Sequence, residues 1–169
     1  MAVSLISTGL SGDILNSGMP SFCTKATDAS NVTGNADTWP ADASAASNLS
    51  VNTERFDLGG DVAGMLFTAP VTGRYRFAFI MNLAGGTSSN ASYGNAQIRT
   101  SNRNYALVHS YDWWNYPSFG SGVNYIFCIH GQIFTEMEAN DTAHATIRIF
   151  GSNKGFDVSS YFFMGHLIC

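Results

Sequence analysis

Apolar residues recur at every second position through much of this chain, which is the period of a β-strand with one buried face. The clearest case follows Phe67-Thr-Ala-Pro-Val-Thr-Gly-Arg-Tyr-Arg-Phe-Ala-Phe. From Arg74 to Leu83, Tyr75, Phe77, Phe79, Met81 and Leu83 fall on one face, and Arg74, Arg76, Ala78, Ile80 and Asn82 on the other. Pro70 and Gly73 predict a turn before that strand, because proline fixes φ and glycine tolerates the dihedrals of a tight turn. The same reading places strands at 20–27, 49–52, 55–57, 64–67, 93–101, 105–111, 123–137, 142–150 and 160–168. Asn102-Arg103-Asn104 forms the turn of a hairpin. No window carries a helical period. Many short strands with polar turns predict an all-β antiparallel sandwich or jelly roll.

Two of these strands are apolar on both faces. Tyr161, Phe163, Gly165 and Leu167 alternate with Phe162, Met164, His166 and Ile168, while Tyr125, Phe127, Ile129 and Ile133 alternate with Ile126, Cys128 and Phe134. An antiparallel strand with a wet face alternates apolar with polar. Without helices to cover the second face, the economical cover is another copy of the same sheet. An obligate homo-oligomer is therefore expected, with Phe162, Met164, His166, Ile168, Ile126, Cys128 and Phe134 at its interface and well over ~1,000 Å² buried per pair.

Composition narrows the function. The 169 residues are 45% hydrophobic but only 12% charged, with net charge −4 and two lysines, Lys25 and Lys154. Disorder needs the opposite balance, and nucleic-acid binding needs a clustered basic face. No apolar run reaches the length of a membrane helix. Cys23, Cys128 and Cys169 show no CxxC spacing, so neither a disulfide framework nor a zinc site is indicated. If the first and last strands lie side by side, Cys23 and Cys169 could meet. Residues 1–18 lack a basic n-region, and Gly9, Gly12 and Asp13 interrupt their apolar clusters, which argues against a signal peptide. They read as an arm, docked or disordered, preceding one domain at 19–169.

Catalytic spacings such as GxSxG, HExxH or a phosphate loop are absent, so no enzyme is expected and no catalytic residue is assigned. His109, His130, His144 and His166 are scattered over four strands. His166 reads most simply as a core or interface side chain. Residues 28–47 read as a long polar loop whose Asp28, Asp37 and Asp42 could ligate calcium, against the simpler reading of a solvated loop. No other cofactor is expected. Tyr111, Trp113, Trp114 and Tyr116 crowd a second loop. They would pack on a neighbouring subunit or stack on a sugar of a host-surface glycan.

The segment FTAPVTGRYRFAF resembles the signature of the C1q-like (C1q/TNF-type) globular head. Met19-Pro-Ser-Phe-Cys-Thr-Lys is similar to that family's first strand, and Asn52 with Arg55-Phe56-Asp57 to the segment before its turn. Asn140-Asp141 stands where Gly-Asp is usual, and Ser160–Leu167 resembles the closing Phe-x-Gly-x-Leu strand. The likeness covers roughly 19–168 and is loose from 84 to 122. It implies a ten-stranded jelly roll, tight homotrimers around a threefold axis, and a binding or structural role rather than catalysis. Some such trimers hold calcium near the apex. A head with no collagen stalk resembles those on bacteriophage particles. The expected role is thus a virion structural protein, above all a capsid decoration or cement knob partnered with the major capsid protein. The alternatives are a tail-fibre tip that binds a host receptor, or a soluble glycan-binding module.

Overall fold

A computed structural model describes residues 19–33, 38–39, 53–84, 91–110, 127–151 and 156–169. The described residues form strands and turns, with no helix. The strands are β1 (Ser21–Thr33), β2 (Thr38–Trp39), β3 (Thr53–Asp57), β4 (Val62–Ala63), β5 (Leu66–Thr68) and β6 (Gly73–Ala84). They continue with β7 (Ala91–Thr100), β8 (Asn104–Ser110), β9 (Phe127–Met137), β10 (Thr142–Gly151) and β11 (Phe156–Leu167). One sheet runs β3-β1-β11-β6-β9 and the other β4-β5-β10-β7-β8, with the two-residue β2 added on β10. All pairings are antiparallel. This is the expected jelly-roll sandwich: ten strands in two five-strand paths, plus β2. Apart from the β4–β5 and β7–β8 hairpins, each connection crosses from one sheet to the other.

The period-two reading of β6 is met in full, since Tyr75, Phe77, Phe79, Met81 and Leu83 are all buried. Register aligns them into rungs of the core: Phe22–Gly165–Phe77–Ile133, then Thr24–Phe163–Phe79–Gly131, then Ala26–Tyr161–Met81–Ile129. The facing sheet supplies small side chains, Ala96, Ala143 and Ala145, beside Ile98, Ile147 and Phe67. Large rings on one sheet and short side chains on the other fill the space between layers about 10 Å apart. Gly165 sits where the rings converge. Phe22 stacks on Phe67 at 5.0 Å, and Phe77 on Phe163 at 5.7 Å.

Tyr161 joins the two layers. β10 pairs with β5 at Thr142 and Ala143 and with β2 at Ile147 and Arg148, which leaves a gap in that edge at Ala145. The buried Tyr161 hydroxyl fills it, donating to the Ala145 carbonyl at 2.8 Å and accepting from the Ala145 N–H at 3.2 Å. Burial pushes the Tyr161 phenol far above its ordinary pKa, so it stays a neutral donor. Tyr161→Phe is expected to cost about 1–3 kcal/mol, because it strands a buried donor and a buried acceptor. Chemical denaturation that found no loss would contradict this account of the gap.

The Phe-Thr-Ala-Pro turn is tied to the β9–β10 turn. Ala69 N–H donates to the Asp141 carbonyl at 2.8 Å, and Asn140 N–H returns to the Ala69 carbonyl at 2.7 Å. Asn140 holds φ at 73°, a conformation in which glycine is cheapest and asparagine tolerated. Asparagine is accommodated at this turn position for that reason. Gly73 differs from the sequence-based expectation, because it is not among the glycines with positive φ. A Cβ there would instead meet Leu167 Cδ1 at 2.6 Å and the Cys169 carbonyl oxygen at 2.8 Å. Its smallness admits the end of the last strand.

Asp141 also gathers the hairpin. Its carboxylate accepts from the Ser101 hydroxyl and the Asn102 amide, both at 2.7 Å, and from the Glu138 N–H at 2.9 Å. The Ser101 bond, then the Glu138 bond, hold its pKa below the ordinary carboxylate value. With the folded value depressed, this stabilisation is present above the unfolded value and is lost as pH falls through the folded one. Asp141→Asn is expected to lower the melting temperature at neutral pH and to reduce its further fall below about pH 4. Parallel acid melting curves for both proteins would count against this role.

The polar loop expected at 28–47 is corrected in part. β1 runs on to Thr33 against Phe156, and Thr38–Trp39 pair with β10. The extra length follows from β11, which begins at Phe156 rather than Ser160 and offers a longer template.

Candidate functional site

The site is the outer face of the β3-β1-β11-β6-β9 sheet, built by the alternates of the core positions. Its rungs are Ser21–His166–Arg76–Phe134, Cys23–Met164–Ala78–Gln132, Lys25–Phe162–Ile80–His130, and Ser160–Asn82–Cys128. Phe56 stands opposite Cys23 on the flanking β3. Beyond the first rung, Ile168 N–H donates to the Arg74 carbonyl and carries Ile168 onto the same face.

The two faces of this sheet differ in chemistry. Inside, the side chains are almost entirely apolar; outside, apolar and cationic groups are mixed. Phe134 is 66% exposed, Phe56 46%, Ile168 42% and Ile80 37%, while Phe162 and Met164 are half-buried. A groove of about 270 Å³ lies across the first two rungs, walled by Cys23, Phe56, Arg76, Ala78, Met164 and His166. Burying a large apolar side chain gains roughly 1.5–3 kcal/mol, so clustered apolar groups of this kind mark contact surfaces. Polar positions are partly paired within the face. Arg76 Nη2 donates to Gln132 Oε1 at 2.6 Å, Asn82 Nδ2 to Ser160 Oγ at 2.7 Å, and the Lys25 ammonium lies 5.5 Å from the Phe162 ring centre. Arg74 and Glu136 form an ion pair at 3.2 Å with both side chains largely exposed, which contributes little. Burial pushes the Cys23 thiol up, and nearby Arg55 pulls it partly back.

Of the residues expected at an interface, Phe162, Met164, His166, Ile168, Cys128 and Phe134 all lie on this face, and Ile126 lies outside the described residues. Sequence reasoning did not name Cys23, Lys25 and Phe56 for it. The alternation of Phe22, Thr24 and Ala26 with Cys23 and Lys25 was the available signal. A second cleft, about 750 Å³, was also missed. Its walls come from separate strands and turns, among them Arg74, Arg103, Tyr105, Phe134, Thr135 and Ile168.

Tyr111, Trp113, Trp114 and Tyr116 lie outside the described residues, as do Asp37 and Asp42. Asp28 lies in β1 rather than in a loop. Among the described residues no three His, Cys, Asp or Glu side chains gather as metal ligands. β1 and β11 do lie side by side, but Cys23 stands opposite Met164, five positions from Cys169, and all three cysteines are free.

No protein-family profile matches the sequence, and no curated protein sequence is similar to it. Solved structures do match in shape. The globular domain of zebrafish complement 1qA protein superposes with a TM-score of 0.55 at 17% identity, covering 89% of this chain and 98% of that one. The chain folds as a C1q-type jelly roll. Murine APRIL aligns with a TM-score of 0.46 at 9% identity, covering 89% of this chain and 99% of that one.

Proposed function

We propose that this C1q-type head is a non-enzymatic structural protein that assembles as a homotrimer through the outer face of its five-stranded sheet. The observation that carries the reading is the second apolar set on that face, centred on Met164 and Phe162 and flanked by exposed Phe56, Ile80, Phe134 and Ile168. An apolar sheet face covered by further copies of the same chain needs no other partner to become buried. We further propose that the trimer belongs to a virus particle as a capsid decoration or cement knob. That setting carries forward the expectation stated from the sequence. Cementing needs contact area repeated by symmetry, not chemistry, and weak contacts at three copies add by avidity.

Sedimentation equilibrium tests the assembly; a stable monomer at micromolar concentration would end it. Capsid co-assembly with residues 2–18 deleted tests the particle role. Loss of binding with the trimer intact is the expected result, and unchanged binding would remove the arm from the scheme.

A further inference from the structure

The outer face concentrates cations in a chain whose net charge is −4. Lys25 on β1, Arg74 and Arg76 on β6, and Arg55 beside the Cys23 thiol belong to it. So do two histidines: His166 in register between Ser21 and Arg76, and His130 opposite Ile80. The carboxylates nearby are few. Glu136 is engaged by Arg74, Glu54 stands exposed on the flanking β3, and Asp157 lies at the far end of β11 opposite Ala84. Among the described residues, Cys23 and Cys128 are the other titratable side chains of the face's rungs. Among the described residues, no carboxylate occupies the rung of either histidine. His166 shares its rung with Arg76 and Phe134, and His130 with Lys25, Phe162 and Ile80.

We propose that assembly through this face is proton-controlled: His130 and His166 permit the contact when neutral and oppose it when protonated. The proposal rests on the assembly reading above and adds its regulation. Directly opposed side chains of neighbouring strands stand about 5 Å apart, so a protonated His166 would place its charge beside the Arg76 guanidinium. On the free protomer water screens that repulsion. In a contact that excludes water, a like charge and lost hydration both favour the neutral imidazole. Exclusion of a proton on association means that assembly is strongest at neutral and higher pH and weakens as the solution is acidified. Symmetry multiplies the effect. If each of three protomers refuses one proton, the trimer dissociation constant rises on the order of 1,000-fold between pH 7.5 and 5.5.

The test is sedimentation velocity of the full chain at pH 7.5 and 5.5 at constant ionic strength, with circular dichroism to follow the fold. The expected result is a trimer at pH 7.5 and at least a tenfold rise in the dissociation constant at pH 5.5. The His130→Gln/His166→Gln double variant should show little change between the two, and His166→Lys should be weakened already at pH 7.5. Equal dissociation constants at both pH values would overturn the switch and leave the trimer standing. Acid dissociation of the double variant to the wild-type extent would also overturn it. A monomer at pH 7.5 would overturn both this proposal and the assembly reading.

Discussion

Gly165→Val is expected to prevent the chain from reaching a stable fold. A Cβ at Gly165 would overlap Phe77 Cδ1 and lie 2.8 Å from Phe22 Cε1. Both rings belong to the residues in register with Gly165 on the neighbouring strands, so neither can turn away without leaving its own rung. Phe67 and Phe163 close the space behind them, at 5.0 Å and 5.2 Å from Phe22. Overpacking a dense core by single methylenes costs about 1–3 kcal/mol. That is the range expected for Gly165→Ala, which should fold with a lowered denaturation midpoint. Valine adds two further carbons at the same point. A total stability of 5–15 kcal/mol, typical of a domain, leaves little margin for it. Soluble, native-like Gly165→Val protein with an unchanged melting temperature would refute this view of the aromatic cluster.

Met164→Arg is expected to act on assembly instead. Met164 is the neighbour of Gly165 in sequence but points to the opposite face, into the groove beside Cys23, Ala78 and Arg76. An arginine there joins Arg76 and Arg55 with no free carboxylate in its rung, and association would bury it unpaired in every copy. Burying an uncompensated charge costs several kcal/mol, so the dissociation constant should rise by at least about 1,000-fold, near 4 kcal/mol. Circular dichroism should stay native, because the side chain is half-exposed in the single protomer. A trimer that survives the substitution at micromolar concentration would show that the contact lies elsewhere. Two adjacent residues thus separate folding from association, because a strand turns successive side chains to opposite faces.

Much of the fold was legible in the sequence. The alternation from Tyr75 to Leu83 named five buried side chains, and the two-faced strands named the sheet that has a second surface to cover. The hairpin around Asn102 and the strands on either side of Asn140 were also in place. Strand ends were less so. β1 outruns its hydrophobic pattern because β11 lies alongside to pair its backbone, and hydrogen bonds of the ladder ignore side-chain polarity. Gly73 shows the same limit. Its local sequence suggested a turn dihedral, whereas the reason for its smallness lies in Leu167 and Cys169, almost a hundred positions away.

The sequence by itself determined that this protein is a β-sandwich with an aromatic interior and an apolar second surface. Period, turn residues and composition are local properties that a strand carries wherever it is placed. Only the tertiary structure decided which strands share a sheet and in what register. Register is what sets Tyr161 into the gap at Ala145, closes two rings over Gly165, and gathers Lys25, Arg76, His130 and His166 on one face. Each of those meetings joins residues on different strands, and nothing local to either partner encodes the distance between them.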